Sequence, residues 1–274
     1  MIYKGNYEIT ETERRLSQLV VKGNGLIQEK RYQLTTTQQK FLAYVISLIK
    51  PGDTIDTMYE VHIEDFCNLC GIKKENFYEE FKRMIDKFDE SAFWVDTKDE
   101  LYKFRWFNDT RYIKRSGKVQ LYLSRALKDY LIGMLGNFTQ YELYNVMSLR
   151  SKYAIRLYEL FKSYEYQERK RFYLDDLKHL LYAGSYKNFK DFRVRVLEPA
   201  IEEINKFTDI EVKYDLFYRG KKVHEIEFII ERKQPLERWK AFNITKEKID
   251  RLNGQLRGQI NIYDIPGVVP NENN

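Results

Sequence analysis

One succession of helix, short strand, helix, turn, helix and hairpin occurs twice along this chain, and that repetition restricts the fold more than any other feature of the sequence. In the first half, apolar residues at helical spacing run from Thr37 to Ile49, with Thr35 to Thr37 as N-cap candidates and Pro51-Gly52 as the stop. The β-like piece Met58–His62 follows, then a short helix over Glu64–Leu69, a turn at Gly71 and a second helix from about Lys74 to Phe88. The period then changes to two over Ala92–Val95, Leu101–Phe107, Arg111–Lys114 and Val119–Leu123, with a hairpin turn at 115–118. The second half predicts a helix over Ser151–Tyr166, a β-like Arg171–Leu174, a short helix over Asp175–Tyr182 and a turn at Gly184-Ser185. A long helix over Tyr186–Phe207 comes next, then strands Ile210–Leu216 and Val223–Ile230 joined by Arg219–Lys222.

A single offset of 111 residues pairs Ile63 with Leu174, Asp65 with Asp176, Phe66 with Leu177 and Leu69 with Leu180. The same offset pairs Tyr78 with Phe189, Phe81 with Phe192 and Ile85 with Val196. This order of elements is the winged-helix arrangement, a helix-turn-helix variant whose second helix enters the DNA major groove and whose hairpin, the wing, lies against backbone or minor groove. The expected fold class is therefore α+β, with two tandem winged helices. Residues 1–136 form an N-terminal winged helix and 137–234 a C-terminal one, linked through Ser124–Ser148. Residues 235–274 are a partly helical tail, with a helical stretch over Thr245–Leu256.

A chain of 274 residues accommodates two such domains with a core in each. No apolar run approaches the roughly 18–20 residues of a membrane span, and Met1–Leu16 lacks the apolar stretch of a secretory signal. Two cysteines form no disulfide scaffold and fit a reducing compartment, so a cytoplasmic protein without a membrane partner is expected. The net charge of +6 is informative once divided: residues 1–149 carry 22 basic against 21 acidic side chains, whereas 150–234 carry 19 against 15. The excess sits where a polyanion would be met.

The long second-half helix shows how. Stepping its residues by about 100° gathers Phe192, Val196, Leu197, Ala200, Ile201 and Ile204 into one apolar arc. Lys187, Asn188, Asp191 and Arg195 point away from that arc, and Lys190 lies at its edge. The first turns thus offer cations and an amide, the groups that pair with guanine and adenine edges, while the later turns are committed to the core. The basic hairpin Arg219-Gly220-Lys221-Lys222 follows as a wing.

Three stretches here resemble a family, the plasmid replication initiators that bind iterons. They are Ser151–Leu160 (SKYAIRLYEL), Ser185–Leu197 (SYKNFKDFRVRVL), and Ala200–Asn205 (AIEEIN) with Thr208; Leu34–Phe41 (LTTTQQKF) is similar to that family's first-domain helix. The resemblance spans roughly residues 20–232. It implies tandem winged helices that bind repeated sites in double-stranded origin DNA, help to melt it, and recruit a host initiator and the replicative helicase. It also implies repression of the protein's own promoter, control of plasmid copy number, and a homodimer formed through the first domain in the absence of DNA.

Carried over by position, the resemblance gives Tyr186, Lys187, Lys190, Arg193 and Arg195 as reading residues. Arg193 falls inside the apolar arc and is named on the resemblance alone. In the first domain the equivalent helix opens with Lys73, Lys74 and Asn76 but carries Glu75, Glu79 and Glu80, which repel phosphate. The first-wing cations Lys114, Arg115 and Lys118 are left to hold backbone, so the second domain is expected to carry most of the affinity. The strand Leu101–Phe107 puts Tyr102, Phe104 and Trp106 on one face and Leu101, Lys103, Arg105 and Phe107 on the other. That second, partly apolar face beside a sheet edge is where a second protomer can pair.

Other signals carry no chemistry. Cys67 and Cys70 form one CxxC with no second pair, where a structural zinc normally wants four ligands, and they fall beside Phe66 and Leu69 as small apolar side chains. His62, His179 and His224 are scattered, without the histidine pair of a rolling-circle nicking enzyme. No GxxxxGK[ST] is present. Asp175-Asp176 and Glu202-Glu203 serve helix dipoles and solvation. The expectation is a DNA-binding protein with no enzymatic activity, cofactor or metal. A winged-helix transcriptional repressor without replication activity is the alternative, since DNA reading is common to both.

Overall fold

The computed structural model describes residues 9–72, 77–96, 99–132 and 136–252, with the backbone alone at 77, 93–96, 128 and 129. Helix α1 (Glu11–Leu16) opens on a capping box: the Thr10 hydroxyl accepts from Glu13 N–H while the Glu13 carboxylate accepts from Thr10 N–H. Strand β1 (Leu19–Gly23), a π turn (Gly25–Glu29) and α2 (Thr36–Ile46) follow. Thr35 and Gln38 close a second capping box, so Thr35 is the cap and α2 ends three residues short of the predicted Ile49.

Next come β2 (Met58–His62), α3 (Ile63–Cys70) and α4 (Phe77–Glu90). Gly71 ends α3 at φ 68°, in the left-handed region that glycine reaches without a Cβ penalty. The first half continues through β3 (Phe93–Asp96), β4 (Leu101–Phe104), β5 (Phe107–Ile113) and β6 (Lys118–Leu123). β2, β6 and β5 form one antiparallel sheet, while β3 and β4 pair separately.

The linking segment 124–148 holds α5 (Lys128–Leu131), β7 (Phe138–Glu142) and α6 (Tyr144–Met147), and β7 runs back to pair antiparallel with β1. The second half comprises α7 (Lys152–Ser163), β8 (Arg169–Tyr173), α8 (Leu174–Leu180), α9 (Phe189–Phe192), a π turn (Arg193–Leu197) and α10 (Glu198–Phe207). Strands β9 (Ile210–Arg219) and β10 (Lys222–Arg232) form the hairpin, with β8 on its far side in the order β8-β10-β9. Helix α11 (Pro235–Leu252) completes the described chain.

The 111-residue repeat is visible in these bounds. β2 and β8 begin and end 111 residues apart, and α3 and α8 begin at the paired Ile63 and Leu174. The pairs Phe66/Leu177, Phe81/Phe192 and Ile85/Val196 are buried in both halves. The halves diverge after α4 and α10: only Thr208-Asp209 separates α10 from β9, whereas the β3–β4 hairpin is inserted between α4 and the first wing.

Four expectations need correction. The continuous strand Leu101–Phe107 is broken at Arg105-Trp106, and Phe107 is buried along with Phe104 and Trp106 instead of joining the outward face. The reason is the bend itself, which lets both neighbours of the break turn into the aromatic cluster around Phe41. Helix α7 stops at Ser163, three residues before Tyr166. The long helix begins at Phe189 rather than Tyr186. The tail helix begins at Pro235, ten residues before Thr245, and its expected end at 253–256 lies outside the described residues.

Helix α11 is built into both halves. Ala241, Thr245 and Ile249 are buried. The Thr245 and Ser148 hydroxyls are hydrogen-bonded, and Lys246 Nζ lies 2.8 Å from Glu13 Oε1. Leu252 packs over Gly71, the turn of the first helix-turn-helix. A buried ionic cluster also ties the halves. Lys22 Nζ of β1 donates to Glu159 Oε1 of α7 at 2.5 Å, and Tyr141 OH donates to the same oxygen. Arg156 donates to Tyr32 OH and to the carbonyls of Ile27 and Lys30. Burial outweighs the Glu159 charge at Lys22 and pushes its pKa down. No described helix is long and apolar enough to cross a membrane.

Candidate nucleic-acid interface

Asn188 decides where α9 starts. Its Oδ1 accepts from Asp191 N–H at 2.8 Å and its Nδ2 donates to Asp191 Oδ2 at 2.7 Å, which makes it the N-cap of α9. The Asn188 amide, expected to be offered to bases, is thus engaged within its own cap. Tyr186 and Lys187 precede the helix instead of forming its first turn. Tyr186 is half-buried, its ring edge-on to Tyr153 at 6.4 Å. Lys187, Lys190 and Arg195 are exposed, and among the described residues none of the three has an ion-pair partner.

The π turn explains Arg193. Regular α-helical steps place it in the middle of the apolar arc, but a turn closing from i to i+5 swings it to the border. Its side chain is 42% exposed, and Nε lies 3.4 Å from Oε1 of Glu198, five residues on. Tyr214 of β9 donates to the same Glu198 oxygen. Val196 and Leu197, at the end of the same π turn, are both buried. Arg193 therefore reaches the surface, with an acidic partner that helical geometry alone does not reveal; an acid five residues downstream is the signal that marks it.

The helix is fastened to its wing. Asn205 Nδ2 donates to Val212 O at 2.9 Å, and Val212 N–H donates back to Asn205 Oδ1 at 2.7 Å. Lys233 Nζ donates to the carbonyls of Asn205 and Thr208, closing the end of α10 against the end of β10. At the wing tip Gly220 takes φ 61°, and Arg219, Lys221 and Lys222 are exposed with no ion-pair partner among the described residues. Lower on the same sheet the cations are matched: Arg169 and Arg171 of β8 pair with Glu227, and Arg171 also with Glu225. Six cations, three along the helix start and three at the wing tip, are thus exposed without an ion-pair partner among the described residues.

The first domain is less well supplied. Lys114 and Arg115 are exposed at the tip of its wing. Lys118 instead donates to Glu60 Oε1 at 2.6 Å, a bond that holds the Glu60 carboxyl below the usual range and engages this cation within the protein. Lys73, Lys74 and Asn76 lie outside the described residues. The described part of α4 exposes Glu79 and Glu80, with Arg83 paired to Glu80. Cys67 is buried and Cys70 half-buried, and burial pushes their thiols up to about 12 and about 11. Among the described residues no three His, Cys, Asp or Glu side chains are grouped to hold a metal ion.

The interface can be set beside known proteins. A "Replication initiation protein" of Escherichia coli is 26% identical over 228 residues, covering 79% of this chain and 71% of that protein. An "Uncharacterized 27.6 kDa protein" of Escherichia coli is 25% identical over 187 residues, covering 66% of this chain and 77% of that protein. Among solved structures, that of the Pi initiator protein in complex with iteron DNA superposes with a TM-score of 0.67 over 80% of this chain and 99% of that chain. At 21% identity the likeness is one of fold. Residues 19–162 match the family model described as "Initiator Replication protein, WH1", and residues 173–230 match "Initiator Rep protein, WH2". With two tandem winged helices and these matches along most of its length, the chain belongs to the initiator replication protein family.

Proposed function

We propose that this chain initiates plasmid replication by binding repeated sites in double-stranded origin DNA, with the second winged helix as the main reader. The observation that carries the reading is the placement of charge. Lys187, Lys190 and Arg195 at the helix start, and Arg219, Lys221 and Lys222 at the wing tip, stand without acidic partners among the described residues, while nearby sheet cations are neutralised. Arg195 and Arg193 are assigned to base edges, and Lys187, Lys190 and the wing to phosphates. Five such phosphate contacts would give a plot of log affinity against log salt a slope of about −4.5. The Pi initiator, solved with iteron DNA, shares this fold and supports the reading.

The first winged helix, with Lys114 and Arg115 at its wing, makes auxiliary backbone contacts. It pairs with a second copy in the absence of DNA through the β3–β4 hairpin, where Leu101 is exposed. The division of the chain at 136/137 into these two roles belongs to the same proposal, as do recruitment of a host initiator and the replicative helicase, repression of its own promoter, and action in the cytoplasm by binding alone. The test is footprinting of the full chain on the DNA that flanks its gene. Direct repeats about 20 base pairs apart, two helical turns, are the expected protection. Protection of one inverted repeat and nothing else would replace this reading with that of a repressor.

A further inference from the structure

Resting on the reading of α9 and the following π turn as the base-contacting segment, we infer that Val194 selects a thymine by contact with its 5-methyl group. Among the described residues of 189–207, Val194 is the one large apolar side chain left exposed, at 50%. It lies one turn after exposed Lys190 and directly before exposed Arg195. Its other neighbour, Arg193, is held at the helix border by Glu198. An exposed valine in a helix gives up propensity relative to alanine and leaves its methyls in water, so the position gains nothing for the free protein.

The surrounding charge changes that balance. Lys190 and Arg195 bring a polyanion to this turn, and the π turn there presents two consecutive residues, Val194 and Arg195, to the outside before Val196 and Leu197 return to the core. Of the features displayed in the major groove, the thymine 5-methyl is the apolar one; the others are hydrogen-bond donors and acceptors. An aliphatic side chain flanked by cations matches a thymine beside the base read by Arg195, and leaves a cytosine, which lacks the methyl, with an uncovered apolar surface. Sequence preference at that step therefore comes from Val194 rather than from a hydrogen bond.

The experiment uses the full chain and a duplex selected by it from a random pool of about 20 base pairs. Each thymine in the selected duplex is replaced singly by deoxyuridine, which removes the methyl and keeps the pairing, and affinity is read by fluorescence anisotropy. At one thymine, adjacent to the guanine whose replacement is silent in Arg195→Ala, the wild-type chain is expected to lose about fourfold in affinity, the factor that burial of one methyl-sized group confers. At that same thymine Val194→Ala is expected to show no loss. Wild type and Val194→Ala responding alike at every thymine overturns the inference while leaving the DNA-reading proposal intact. If the wild-type chain enriches no sequence from the pool, the reading of this helix as a base reader fails, and the inference with it.

Discussion

Arg195, Lys187 and Arg193 lie within nine residues of one another, yet their replacement by alanine is expected to produce three different results. Arg195 is exposed and has no ion-pair partner among the described residues, so its removal costs the free protein little and the whole loss appears in the complex. A bidentate contact to one guanine is worth about 1–3 kcal/mol of discrimination, or roughly 5- to 150-fold in affinity for the correct site, with little change on scrambled DNA. Lys187 stands before the cap, outside the helix, and the helix start is already satisfied by Asn188 with the Asp191 carboxylate beside it. On the proposed reading Lys187 is a point charge for phosphate. Its loss weakens selected and scrambled duplexes alike and reduces the salt slope by about 0.9. Arg193 begins in an ion pair with Glu198, so part of its contact energy is spent in releasing that partner, and Arg193→Ala should cost less than Arg195→Ala on the same duplex. The assay is a salt titration of each variant on a selected and on a scrambled duplex. Equal weakening of both duplexes by Arg195→Ala would refute the assignment of the reading face.

Three further outcomes follow from the packing. Glu159→Ala strips the carboxylate from buried Lys22, Tyr141 and Arg156 and should destabilise the chain by about 3–5 kcal/mol in urea unfolding, whereas Lys22→Met combined with Glu159→Leu should cost far less; additive single and double variants would show that the pair does not couple. Gly71→Ala places a Cβ 2.3 Å from Leu252 Cδ1 and an alanine at φ 68°, so a loss of about 1–2 kcal/mol is expected, part of it recovered by Leu252→Ala; an unchanged urea midpoint would contradict the docking of α11 on that turn. Burial raises the phenols of Tyr32, Tyr44, Tyr59, Tyr141, Tyr144 and Tyr158, with Tyr44 pushed up to about 12. A folded value above the unfolded one means that this stability is fully present below pH 10 and is lost as the pH rises, by about 1.4 kcal/mol per pH unit for each phenol until its folded value is reached. Tyrosinate absorbance from these residues should therefore appear together with loss of helical circular dichroism; their titration near pH 10 in a still-folded chain would be the contrary result.

How much of this was legible in the sequence depends on the range of the interactions involved. Periodicity of two and of 3.6 comes from backbone geometry, so the order of elements, the 111-residue repeat and the buried pairs Phe66/Leu177 and Phe81/Phe192 are readable one residue at a time. The cationic helix start and wing tip are readable for the same reason: Lys187, Lys190, Arg195, Arg219, Lys221 and Lys222 lie close together in the chain. What was not legible depends on groups brought together from far apart or on a departure from the regular step. The Lys118–Glu60 pair joins residues 58 positions apart and removes a cation that composition counts as available. The π turn shifts Arg193 relative to the 100° rule, because its wider turn cannot be seen in an apolar pattern that still closes on Val196 and Leu197. The return of β7 to β1, the 137-residue reach of Lys22 to Glu159 and the seating of Leu252 on Gly71 were likewise decided in three dimensions. Two winged helices and a basic second half were readable from the chain alone; which cations stay unpaired was settled by packing, since a charge is free to meet a partner only after the fold has chosen its neighbours.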